Sequence, residues 1–316
     1  MNEFQDAFIS YGRADSKTFA TKLHARLLEA GLEVWFDQND IPLGVDFQNQ
    51  IDDGIEKSHN FLFIIAPHSI NSVYCGKEIE LALRCNKRII PLLHVEQITY
   101  ETWKERNPSG TEDEWAAYQK KGLHSSFPNM HPAIGKINWV YFREGIDDFE
   151  QSLQGLLEVM GRHKGYVANH TTFLSRALEW SRNKRLSRYL LTGRDRLVAE
   201  DWLRVRFHNE QPPSDPTDLH CEFICESTKN ANNLMTKVFL CYDGSDRAIM
   251  EKVRCSLRRE GFTLWTDDTD IQTGDDPQTE TKRGIEGADN VVYLLTQRSL
   301  DSGDCQRELD HAFDCN

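Results

Sequence analysis

The pattern Ser72, Cys75, Glu78 returns with the same spacing as Ser302, Cys305, Glu308 in a chain of 316 residues. A carboxylate that recurs inside one short pattern argues for a site rather than a solvated surface, so Glu78 is the first candidate for chemistry. Tyr74 stands four residues earlier, one helical turn away on the same face. The second copy has Asp304 there, where a second carboxylate would repel Glu308 and offer no ring to stack on. Other chemistries lack their residues. Gly12 to Thr18 follows a strand and opens a helix as a phosphate loop would, yet the glycine before Lys17 is missing. The chain holds no complete phosphate-loop, dinucleotide-binding or nucleophile-elbow motif. His220 and Cys221 with Cys225 lack a second ligand pair and read as a linker segment. A phospho-receiver would need an aspartate ending the third strand, which here ends Ala66, Pro67, His68.

Composition narrows the classes further. Fifty acidic against 37 basic side chains give a net charge of −13, which repels phosphate backbones, so no nucleic-acid partner is expected. The 39% hydrophobic and 28% charged content is that of a globular chain, not a collagenous or disordered one. The longest apolar run, Phe61 to Pro67, is too short for a bilayer, and the N-terminus has no basic leader; neither a membrane span nor a secretion signal is expected. Eight cysteines are too few for a disulfide scaffold, and Cys75, Cys85, Cys241 and Cys255 fall in helix or strand patterns as small apolar residues would. The expectation is a cytoplasmic chain with reduced thiols.

The elements that must position Glu78 follow from the repeat. Residues 31–86 align without gaps on 261–316 at an offset of 230, with about a third of the pairs identical, among them Trp35 and Trp265, Gly54 and Gly284, Ser69 and Ser299. Tyr11 and Asp15 recur as Tyr242 and Asp246, one position out of register. The first copy reads as strands Ala7 to Tyr11, Leu32 to Phe36, Phe61 to Ala66, Arg88 to His94 and Trp139 to Phe142. Helices Ser16 to Ala30, Phe47 to Lys57, Ser69 to Asn86 and Asp147 to Met160 lie between and after them, with a long insertion before the last strand. The unbroken apolar run at 61–66 fits a strand buried on both faces. Alternating units of this kind predict an α/β fold: a flavodoxin-like, doubly wound, parallel five-stranded sheet whose ligands bind beyond the carboxyl ends of the strands. The expected organisation is a first domain at 1–164, a helical connector and linker at 165–236, and a second, incomplete module at 237–316. The connector is rich in arginine, including Arg176, Arg185, Arg188 and Arg196, and reads as a helical hairpin, Thr171 to Leu191 and Asp195 to Phe207, whose arginines face solvent or two acidic modules.

Phe8 to Tyr11 with Arg13 and Asp15, Val34 to Asp37, Asp40 to Gly44, and Ser72 to Glu78 occur in the order of the motifs of a bacterial TIR (Toll/interleukin-1 receptor) domain. The resemblance covers nearly all of 5–160 and, more weakly, 237–316. The stretch from Leu178 to Leu203 is also similar to connectors that follow TIR domains in large bacterial proteins.

That resemblance implies one of two roles. Some TIR domains scaffold through homotypic contacts. Others cleave the nicotinamide-ribose bond of NAD⁺ with one glutamate on the helix after the third strand, releasing nicotinamide with ADP-ribose or a cyclic form. A carboxylate beside the ribose can stabilise the cation-like transition state, as carboxylates do in glycoside hydrolysis, and no metal is required. Glu78 matches the catalytic position, so the expected protein is an NAD⁺ nucleosidase of the hydrolase class, similar to effectors of antiviral (antiphage) defence and activated by self-association of TIR modules. NAD⁺ is its substrate, not a resident cofactor. Tyr74 takes the place of the family's usual tryptophan and keeps a ring for stacking. Arg13 is the candidate for the diphosphate; Tyr11, Ser10 and Phe47 complete the expected substrate-binding set. Asp37 and Gly44 are expected to shape the loop, and Trp35 to lie in the core. The second copy has Gly244 for Arg13 and Pro277 for Phe47, so it reads as an assembly or regulatory module.

Overall fold

The computed structural model describes residues 4–37, 47–231, 236–260, 262–266 and 276–315. Contacts divide the chain into two units, Met1–Glu179 with Asp201–Cys221, and Trp180–Glu200 with Glu222–Asn316.

In the first unit, strands β1 (Gln5–Ser10), β2 (Val34–Trp35), β3 (Ser58–Ile65), β4 (Arg88–Leu93) and β5 (Val140–Tyr141) form one parallel sheet in the order β2-β1-β3-β4-β5. This is the expected flavodoxin-like arrangement, and strand pleat explains its two layers. Ala7, Ile9, Leu62, Ile64, Ile90 and Leu92 point to one face, against Phe19, Leu23 and Leu27 of helix Arg13–Glu29 and Leu153 and Leu156 of helix Phe149–Gly161. Phe8, Phe61, Phe63 and Leu93 point to the other, against Ile51 and Ile55 of helix Phe47–Lys57 and Cys75, Ile79 and Ala82 of helix Val73–Arg84. Edge strand β5 is shorter than expected, because its residues are only partly buried or exposed and gain little from the sheet.

Much of the repeat proves to be packing. Phe8 stacks on Trp35 with ring centroids 4.4 Å apart, and Phe239 on Trp265 at 4.8 Å. A Cβ at Gly54 would lie 2.8 Å from the Trp35 ring, and one at Gly284 2.6 Å from Trp265, so both positions need glycine for close approach. Ser69 Oγ donates to the Ile64 carbonyl, as Ser299 Oγ does to Leu294, each at 2.7 Å. Ser72 and Ser302 cap their helices, accepting from the amides of Cys75 and Cys305.

The second unit carries β6 (Lys237–Cys241), β7 (Thr263–Trp265) and β8 (Asn290–Tyr293), paired in parallel in the order β7-β6-β8. Among the described residues β8 is therefore an edge, the strand whose pairing the repeat leaves open. In this unit Trp180 packs on Phe223 with centroids 5.6 Å apart, and Arg185 pairs with Glu222 at 2.8 Å.

The segment around His220 is not a linker. Asp218–Ala231 is a helix, and in the first unit His220 is buried, with Nδ1 accepting from the Thr217 amide and Nε2 bonded to the His170 carbonyl. The preceding prolines end at 216, and Thr217 with His220 nucleates the helix start. Lys164–Arg182 is also one helix, which begins and ends earlier than the arm expected at Thr171 to Leu191, and the second arm is the helix Gly193–Arg204 rather than Asp195 to Phe207; Thr171 accepts from the buried Lys87 side chain. Cys75, Cys85 and Cys241 are buried as expected, whereas Cys255 is exposed. Among the described residues no helix is long and apolar enough to cross a membrane.

Burial holds the His59 and His220 imidazoles down to about 4, and His170 well below its ordinary value, also chiefly by burial. These rings stay neutral in the fold, but the unfolded chain takes up protons near 6.5, so stability is lost as pH falls from about 6.5 to 4. Glu78, raised to about 7, works in the opposite sense between 7 and 4.5. His94, also lowered chiefly by burial, acts in the same sense as these rings, and four rings against one carboxyl leave a net loss. His220 alone accounts for about 2 kcal/mol at pH 5, and thermal melting followed by tryptophan fluorescence is expected to show a clearly lower midpoint at pH 5 than at pH 7.5. Equal midpoints would mean that the rings are protonated in the fold.

Candidate functional site

Parallel order places the carboxyl ends of β1 and β2 beside the start of helix Val73–Arg84. Ser10, the last residue of β1, donates from Oγ to Glu78 Oε2 at 2.5 Å. Glu78 reaches back to the sheet because the helix begins at Ser72, which puts the carboxylate in the second turn on the side facing β1. Cys75, one turn earlier, packs beneath it with Sγ 3.6 Å from the Tyr11 carbonyl.

Burial pushes the Glu78 carboxyl up to about 7; Ser10 opposes that shift, and Asp37 and Asp52 add to it. The group is therefore balanced near neutral pH, half-buried at a strand's carboxyl end. The same environment, burial first and Glu78 second, raises the Cys75 thiol to about 12, which leaves it protonated and inert as a nucleophile.

Asp37 joins the other expected residues. It accepts from the Tyr11 hydroxyl at 2.9 Å and from Arg13 Nη2 at 2.7 Å. The Arg13 guanidinium is raised by its hydrogen bond to Asp37 and is largely exposed. Ser10, Tyr11, Arg13, Asp37 and Glu78 thus form one cluster, in which Asp37 is more than a loop-shaping residue. Tyr74 lies on the rim, 57% exposed, with Lys77 Nζ over its ring at 5.9 Å. Phe47 opens its helix, and its side chain, like the Asp40 to Gly44 motif, lies outside the described residues. A groove of 580 Å³ runs along the same helix past Val73, Lys77, Gln48 and Asp52. Asp52 has no motif of its own; its i and i+4 pairing with Gln48, at 2.8 Å, is the sequence signal that could have pointed to it.

Asp15, part of the first motif, is structural. Its Oδ2 accepts from the His68 amide at 2.6 Å and its Oδ1 pairs with Arg106, so it fixes the turn that precedes the helix of Glu78. In the second unit Asp304 pairs with Arg307, so the carboxylate opposite Tyr74's position is balanced by a neighbouring guanidinium. Burial, and after it Glu308, pushes the Cys241 thiol up.

A 2-1-3-4-5 parallel sheet with the Glu78 carboxylate held over the end of its first strand defines a flavodoxin-like α/β domain with its site at the strand termini. The family model for the TIR domain matches residues 7–157 and again 238–316, and the chain belongs to the TIR domain family, with a second TIR stretch after the connector. Among curated proteins it is similar to the NAD(+) hydrolase TcpC of Escherichia coli, 26% identical over 29% of this chain and 32% of that protein. It is also similar to the probable 2′ cyclic ADP-D-ribose synthase TcpB of Brucella abortus, 23% identical over 34% of this chain and 44% of that one. NAD(+) hydrolase TcpA of a Theionarchaea archaeon is 26% identical over 28% of each chain. The matches thus span less than half the length of these relatives.

Proposed function

We propose that this protein cleaves the nicotinamide-ribose bond of NAD⁺, with Glu78 as its catalytic residue. The observation that carries the reading is the half-buried Glu78 carboxylate, held by Ser10 at the strand's carboxyl end. The names of the three distant relatives support the same chemistry.

In this reading the C–N bond breaks with its electron pair going to the nicotinamide nitrogen, and positive charge develops on the ribose. Ionised Glu78 stabilises that charge. Water then adds at the ribose carbon and loses a proton, or a nucleophile elsewhere in the same molecule captures that carbon and loses its proton to give a cyclic form. Tyr74 offers its exposed ring to a planar base, and Tyr11 borders the site through its bond to Asp37. Arg13 pairs with the diphosphate by giving up its contact with Asp37. Val73 and Tyr74, 73% and 57% exposed, make the rim apolar and suit it to closure by a second TIR module. Activation by self-association, and a part in antiphage defence, belong to the same proposal. The second module, with Asp304 in the place of Tyr74, serves assembly. Incubating the purified protein with NAD⁺ at high protein concentration and measuring free nicotinamide tests the activity; its absence under all concentrations favours a scaffold.

The Ser10 hydroxyl holds the Glu78 carboxyl down against burial. Ser10→Ala removes that bond, so the acid limb of kcat/KM is expected to move upward by about one pH unit, with rates recovering at higher pH. A uniform loss at every pH, without a shift, would assign Ser10 to substrate binding alone.

A further inference from the structure

We propose that the second module binds a zinc ion through Glu286, His311 and Cys315. A Glu286 carboxylate oxygen lies 3.1 Å from His311 Nε2, and Cys315 Sγ lies 3.7 Å from the same nitrogen. One ligand atom from each of the three residues falls within 4.8 Å of the others. Metal–ligand bonds of about 2.0–2.3 Å at tetrahedral angles put neighbouring donors about 3.3–3.6 Å apart, close to the two separations measured from His311 Nε2. A thiolate, an imidazole and a carboxylate together suit zinc better than the hard cations, which take oxygen sets.

The repeat supplies an internal control. At the offset of 230, Glu286, His311 and Cys315 correspond to Glu56, Leu81 and Cys85. Those three line one pocket in the first module, where Leu174 and Leu178 also line it. The same backbone positions therefore carry an apolar residue in one copy and an imidazole in the other. In the second copy Glu286 and Cys315 are exposed and His311 is half-buried, so an ion has access from solvent.

A physical need accompanies the difference. Among the described residues the first module closes around a five-stranded sheet with two large apolar layers, whereas the second shows three strands and two small clusters, one around Val238 and Leu240 and one around Phe239 and Ile285. Small cores gain most from a structural metal. Glu286 ends helix Pro277–Glu286, and His311 and Cys315 lie at the end of helix Gly303–Asp314, so the ion would clamp these two helices. Binding displaces the thiol proton of Cys315 and leaves a fourth position for water.

The probe is Zn²⁺ alone, added to full-length protein stripped with a chelator and read by competition with a chromophoric chelator. One equivalent is expected to bind and to raise the thermal midpoint of the second module. His311→Leu and Cys315→Ala are each expected to weaken binding about tenfold or more. With Co²⁺ as a spectroscopic substitute, a thiolate-to-metal charge-transfer band is expected that Cys315→Ala abolishes. Because Glu286 and Cys315 are exposed and His311 is only half-buried, far-ultraviolet circular dichroism of the variants should match the parent; Glu286→Gln replaces either variant that departs from it. No zinc uptake, or uptake unchanged in the variants, overturns the site.

Discussion

Glu78→Gln is expected to cut nicotinamide release by about 10²–10³-fold or more without weakening the fold. One environment has two consequences. A transition state with positive charge on the ribose needs the ionised carboxylate, and glutamine keeps the shape and the bond from Ser10 without the charge. The same burial that raises the carboxyl to about 7 makes its ionised form costly to the folded state, on the order of 3 kcal/mol at pH 8. The neutral amide removes that cost. At pH 8 the melting temperature of the variant should therefore equal or exceed that of the parent, while kcat collapses. Glu78→Ala should lose activity as fully. Turnover within a few-fold of the parent, in a variant that melts normally, would remove Glu78 from catalysis.

The sheet was legible because apolar strands alternate with helical periodicity, and the run Phe61 to Ile65 could belong only to a strand covered on both sides. The recurrence of Trp35 with Gly54 pointed to the module, though not to its reason, a ring lying where a Cβ would have to be. The helix expected from Ser69 onward is instead a short turn, Pro67–Ile70, followed by a break at Ser72. Serine is a cap as readily as a helical residue, and tertiary contacts decide which. That break sets the rotation that aims Glu78 at β1. The insertion carried a readable signal, the capping box Thr111 with Glu114 that opens helix Glu112–Lys120. The resemblance grouped Ser10 and Arg13 with Glu78, but residue spacing alone could not show the bond of Ser10 to Glu78, 68 residues apart, or of Arg13 to Asp37. Such pairs depend on strand order, which no local pattern encodes.

The two ends of the first sheet do different work. At the carboxyl ends stand Ser10, Tyr11 and Asp37, with Glu78 over them. At the opposite end polar side chains tie the elements together: Asn60 donates to the Asp6 carbonyl, Asp6 accepts from the Glu33 amide, and Lys87 donates to the carbonyls of Glu56 and Ser58. These bonds hold the fold together, and the site stands at the other end of the strands.

Arg88 is the strongest of these ties, and its removal carries the largest expected loss of stability. Its Nε donates to Asn60 Oδ1 at 2.5 Å, Nη1 to the carbonyls of Val159 and Arg162, and Nη2 to that of Met160. The last carbonyls of helix Phe149–Gly161 have no partners within the helix, so the guanidinium satisfies them and places a positive charge at the negative end of the dipole. Burial lowers the Arg88 pKa to about 10, which still leaves it charged at neutral pH. Arg88→Ala would strand these acceptors in a closed interior and is expected to cost about 3–5 kcal/mol in chemical denaturation. Arg88→Lys should restore only part, because one ammonium cannot reproduce a planar fork spread over four acceptors. Since Arg88 opens β4 at the end away from Glu78, nicotinamide release per folded molecule should be unchanged wherever the variant remains folded. A loss below about 1 kcal/mol for Arg88→Ala would show that water replaces the guanidinium at the helix end, and that the closure of the last helix on the sheet rests on Leu153, Leu156 and Met160 alone.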